Sequence, residues 1–102
     1  MAAILPFPVE KVVPVWGLTK PESDAVHARA SALMHQGRVT GVSIQDERKY
    51  MCVFDYRGEP YFIGREERMC YLFDPEETLI AQSQHFEVVL RALGETLSGN
   101  AV

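Results

Sequence analysis

The period of the apolar positions changes along the chain, and those changes mark out an arm, a helix, a strand-rich middle and a second helix. Residues 1–18 are apolar but irregular. Pro6, Pro8 and Pro14 each remove a backbone donor, which excludes both a helix and a central strand there. The stretch Val9 to Trp16 suits an edge strand or an extended arm. Trp16, the single tryptophan, would then cap the domain's own core or cross to a partner subunit.

Thr19-Lys20-Pro21-Glu22 predicts the start of a helix over about 20–36. Thr19 can cap, Glu22 can complete a capping box, and Pro21 is tolerated in the first turn. Val26, Ala30, Leu33 and Met34 fall at helical spacing, and Gly37 provides the stop.

From Arg38 to Asp74 the period shortens to that of strands. Four are expected, at about 38–45, 49–57, 60–65 and 69–74, with polar breaks at Asp46-Glu47-Arg48, Arg57-Gly58-Glu59 and Glu66-Glu67. Breaks this short allow only antiparallel neighbours, so the strands should form a meander. Glu66-Glu67 lacks the Gly or Asn that tight hairpins favour, which predicts a four-residue loop.

Asp74-Pro75-Glu76-Glu77 reads as a second helix start, with an N-cap Asp, Pro at N1 and acidic residues in the first turn. A helix over about 75–97 would align Leu79, Phe86, Leu90, Leu93 and Leu97, widened by Ile80 and Val89. Ser98 and Gly99 end it, leaving 99–102 as a frayed tail. The fold class is therefore α+β. The architecture is a four-stranded antiparallel meander flanked by two helices, in one domain spanning 1–102, preceded by an extended Pro-rich arm.

Sorting the strands by alternation gives two apolar faces. With an even-numbered loop at Gly58, Tyr50, Cys52, Phe54, Tyr56, Tyr61, Ile63, Cys70 and Leu72 share one face. Met51, Val53, Phe62, Met69, Tyr71 and Phe73 share the other. An antiparallel sheet with one wet side would alternate apolar with polar residues, so something covers each face. Either the helices take opposite faces, or both take one and the other meets a partner or ligand. The second face, rich in Met and Tyr, has the adaptable character of an interaction surface. Candidate interface or pocket residues are thus Trp16, Met51, Phe62, Met69, Tyr71 and Phe73.

Composition adds bounds. A chain of 102 residues and 11.5 kDa is one ordinary domain, and 47% apolar with 24% charged residues is a globular balance. Ten basic against fourteen acidic residues give a net charge of −4, with the basic ones scattered among acidic neighbours. That argues against nucleic-acid binding, which depends on phosphate neutralisation. No apolar run approaches a membrane span, and the amino terminus makes a poor signal peptide. The expectation is a soluble cytoplasmic protein.

Chemistry is sparse. His27 and His35 sit about two helical turns, roughly 12 Å, apart and cannot share a metal. Cys52 and Cys70 have no metal-ligand spacing, and a strand between them would hold their backbones too far apart for a disulfide. Either one with His85 as base would make a nucleophile, but no third residue orients the pair. Asp55 stands within an apolar strand, where Arg57 or solvent can satisfy it. No cofactor is expected, and an enzyme is disfavoured. The reading is a small interaction module that forms a homodimer through its aromatic sheet face. The alternatives are a sensor or small enzyme with a pocket between sheet and helix for a small apolar ligand, or an accessory protein for another partner.

Overall fold

The computed structural model describes residues 17–45 and 50–99. The expected arm through Trp16, the Asp46-Glu47-Arg48 break and residues 100–102 lie outside them. The described elements are α1 (Lys20–His35), β1 (Val39–Gln45), β2 (Tyr50–Asp55), β3 (Pro60–Glu66), β4 (Met69–Phe73), β5 (Leu79–Ser83) and α2 (Phe86–Ser98). The fold is α+β, with a five-stranded antiparallel sheet in the order β1-β2-β3-β4-β5.

The start of α1 forms the capping box its sequence suggests. Glu22 N–H donates to Thr19 Oγ1 at 3.3 Å, and Thr19 N–H donates to Glu22 Oε1 at 3.0 Å. At the other end Gly37, at φ +75°, lets its own N–H reach the carbonyl of Met34 and that of Arg38 reach Leu33, the paired bonds of a Schellman stop. Val26, Ala30 and Leu33 are buried, whereas Met34 is 47% exposed and does not belong to the packed stripe.

Two expectations for the second half need correction. The helix begins eleven residues later than 75, at Phe86, and a fifth strand precedes it. Asp74 does gather backbone donors, but in a turn. Its Oδ1 accepts from Glu76 N–H at 2.9 Å and Thr78 N–H at 2.8 Å, and Glu77 turns left-handed at φ +65°. The bonds that would start a helix thus close a loop instead, and the chain returns along β4, satisfying its outer edge. Leu79 and Ile80 accordingly lie exposed on β5, while Phe86, Val89, Leu93 and Leu97 of α2 are buried.

The second correction is the loop between β3 and β4. Glu66 pairs with Met69, so only Glu67 and Arg68 turn the corner. Glu67 supplies the positive φ itself, at +60°, at a position where Gly is usual.

The core lies on one side of the sheet. Val26, Ala30 and Leu33 of α1 and Phe86, Val89, Leu93 and Leu97 of α2 pack with Val39, Met51, Val53, Ile63, Cys70 and Leu72. Burying each large aliphatic side chain contributes about 1.5–3 kcal/mol. Both helices therefore take the same face. They also touch each other, and the missing side chain at Gly94 makes room: a Cβ there would stand 3.4 Å from Arg29 Cδ.

Candidate binding face

Hairpin geometry decides which residues share a face. Asp55 N–H donates to Glu59 O at 2.9 Å and Phe54 pairs with Pro60, so the β2–β3 loop is Tyr56-Arg57-Gly58. Gly58 takes the left-handed position at φ +82°. Three-residue loops of this type end in such a residue. The expected even-numbered loop is thus odd, and the partner faces of β2 exchange. Met51 pairs with Ile63 and Val53 with Tyr61 on the helix side, while Tyr50 pairs with Gly64 and Cys52 with Phe62 on the other. Asp55, 4% exposed, holds the corner by accepting from Arg57 N–H at 2.8 Å and Glu59 N–H at 2.9 Å.

The face away from the helices is built in rows across the strands. Tyr50, Gly64, Tyr71 and Gln82 are in register across β2 to β5. Ser43, Cys52, Phe62 and Phe73 form the next row, with Leu79 beyond a bulge. Gly41, Phe54 and Pro60 form the third. Met69 and Glu66 close the upper end, and Glu66 is the one charged residue that the described strands place on this face. Neither described helix crosses it.

The rings are in mutual contact. Tyr71 stacks on Phe73 with centroids 5.9 Å apart and planes at 18°, and Tyr50 meets Phe73 at 6.0 Å. Tyr50 reaches this position by lying over Gly64. Its hydroxyl donates to Glu66 Oε2 at 3.0 Å, which satisfies the polar tip and leaves the ring to the apolar surface. Phe54, Phe62, Tyr71 and Phe73 are half-buried.

The six sequence candidates divide. Phe62, Met69, Tyr71 and Phe73 share the aromatic face. Met51, 3% exposed, belongs to the core beneath the helices, and Trp16 lies outside the described residues. Tyr50 and Phe54 join the face in exchange. The odd-numbered loop is what moves them, and a Gly at the third loop position was the signal available for it.

The thiols also separate. Cys52 and Cys70 lie on opposite faces, both buried. Burial pushes the Cys70 thiol up, against the lowering effect of Arg65, so it is a poor nucleophile. His27, His35 and His85 are all exposed, and His85 stands at the N-cap position of α2 with no side-chain capping bond. Among the described residues no three His, Cys, Asp or Glu side chains converge as a metal site. No described helix is long and apolar enough to cross a membrane.

Opposite the aromatic face, Arg65 is 9% exposed and bound by Glu22. Arg65 Nε–H donates to Glu22 Oε1 at 3.2 Å, and its Nη2 pairs with Oε2. The same carboxylate completes the capping box, so it fixes α1 to β3 as well as capping the helix. This cluster is structural.

No family model, curated protein or solved structure matches this chain.

Proposed function

We propose that this chain is a small interaction module that self-associates through its aromatic sheet face. The observation that carries the reading is the composition of that face. Tyr50, Phe54, Phe62, Tyr71 and Phe73 form an apolar surface on which, among the described residues of the strands, Glu66 at the rim is the single charge, on the side of the sheet that neither described helix crosses. Depletion of charge with enrichment of aromatic residues is the signature of the centre of a protein interface. Two copies meeting face to face would bury the same patch twice, as a twofold contact requires.

The melting temperature of the full chain tests this. Self-association links folding to protein concentration, so the midpoint should rise between about 1 and 100 µM. A midpoint independent of concentration over that range counts against it.

A further inference from the structure

Among the described strands, β5 forms an outer edge of the sheet. Hydrogen-bond alternation tells which of its backbone groups face out. Glu66 and Met69 close a two-residue loop, so they are a hydrogen-bonded pair, and Gly64–Tyr71 and Phe62–Phe73 follow in step. Cys70 and Leu72 therefore turn their groups to β5, where Ser83 and Ala81 face them. Gln82, between those two, directs its N–H and C=O away from β4. Protein edges are usually blunted by charge, proline or a bulge. From Thr78 to Phe86 there is no Asp, Glu, Lys, Arg or Pro. The bulge near the start of β5 leaves Ala81, Gln82 and Ser83 in regular register with β4.

Helix α2 adds a flank to this edge. It packs on β4 and β5, with α1 on its other side over β1. Gly94 looks onto Arg29 of α1, and Ala92 lies about 160° around the helix from it. Val88, Ala92 and Thr96, at four-residue spacing, therefore follow the side of α2 nearer the outer edge. Exposure concentrates at the same margin. Leu79 is 44% exposed, Ile80 37% and Val88 42%, three of the five large apolar side chains that stand exposed among the described residues.

We propose that the β5 edge and the α2 flank form a second self-association surface, distinct from the aromatic face. Two copies pair β5 with β5 antiparallel about a twofold axis normal to the sheet, and the two sheets become one. That axis keeps both helix layers on one side, so the two α2 helices run antiparallel over the seam. The occupant follows from this layering. An extended peptide could take the bonds of Gln82, but it would leave Val88 and Ala92 uncovered. A second copy brings a strand to the strand and a helix to the helix. Both aromatic faces stay on the opposite side, so edge contact and face contact can coexist. The edge contact is the weaker, since it holds one short strand and a narrow helix flank.

Gln82→Pro tests this, because it removes an outward N–H and leaves the bonds of Ala81 and Ser83 to β4 in place. Sedimentation velocity of the full chain at about 1 mM should show species beyond the dimer. Gln82→Pro should keep its circular dichroism and stop at the dimer. Val88→Asp brings two like charges together over the seam and should raise the concentration needed by about tenfold. Hydrogen exchange reads the contact directly: the wild-type Gln82 amide should slow about tenfold or more between about 10 µM and 1 mM. Exchange at Gln82 that ignores concentration overturns the second surface, even if Gln82→Pro proves unfolded. Growth of Val88→Asp beyond the dimer at the wild-type concentration also overturns it. Phe73→Ala should still pair through the edge at about 1 mM, and its failure to do so overturns the edge contact while leaving the aromatic face in place. Association that Gln82→Pro abolishes and Phe73→Ala leaves untouched upholds the edge and removes the face reading.

Discussion

The ring of Tyr50 lies directly over Gly64, so close that a Cβ on Gly64 would stand 2.7 Å from Tyr50 Cγ. A glycine inside a strand ordinarily weakens it, because it packs nothing and loses more entropy on folding. Here the neighbouring strand's aromatic ring covers the bare backbone, and that placement brings Tyr50 within 6.0 Å of Phe73. The first row of the aromatic face depends on this pair.

Gly64→Ala should therefore cost about 1–3 kcal/mol by overpacking against the ring. In a Tyr50→Ala background the same substitution should cost much less, because the added methyl takes space the ring has left. Urea denaturation of the four proteins in this cycle measures the coupling. Equal costs in both backgrounds would mean that the ring does not rest on Gly64.

Glu22 serves two partners, the Thr19 backbone and the Arg65 guanidinium. Thr19→Ala removes one side-chain acceptor and should cost about 1 kcal/mol. Glu22→Ala removes the reciprocal acceptor and leaves Arg65 largely buried without its counter-charge, which should cost about 3–5 kcal/mol. Chemical denaturation ranks the two, and the reverse ranking would assign the pair no structural weight.

The Cys70 thiol is pushed up by burial, which gives the fold an alkaline limit. The unfolded chain releases this proton first, at about pH 8.5, and the folded chain holds it longer. The contribution to stability is thus complete below that pH and is lost as pH rises towards the folded value. Stability should fall as pH rises above about 8.5, and Cys70→Ala should flatten that fall. Tyr61, also raised mainly by burial, should leave a residual loss beginning near its ordinary range, about pH 10. A Cys70→Ala profile identical to that of the wild type over this range would contradict the assignment.

Local signals were legible where one segment decides its own structure. The Thr19–Glu22 box and Gly37 bracket α1 because capping is satisfied within a few residues. The apolar alternation on both sides of the strands is likewise visible in the sequence. What the sequence left undetermined depends on neighbours. Asp74 and Pro75 begin a turn as readily as a helix, and the turn prevails here because β5 completes the outer edge of β4. The face of Met51 hinged on whether the Gly58 loop had an odd or even number of residues, since a one-residue change moves every side chain to the opposite side. Glu67 accepts a backbone conformation that its residue type disfavours, which kept the β3–β4 loop shorter than its composition suggests.

Leu72 and Phe73 are adjacent in β4 and point to opposite sides, Leu72 fully buried beneath the helices and Phe73 in the aromatic face. Sedimentation equilibrium of the full chain and of these two alanine variants, with circular dichroism to check folding, tests the division of labour between the faces most directly. Leu72→Ala should lose about 2–5 kcal/mol of stability as a core deletion. Phe73→Ala should keep its helical signal yet require at least about tenfold more protein to associate than the wild type, as expected for loss of an aromatic anchor. A wild-type chain that remains monomeric at about 100 µM, or a folded Phe73→Ala that associates as readily as the wild type, would contradict the account.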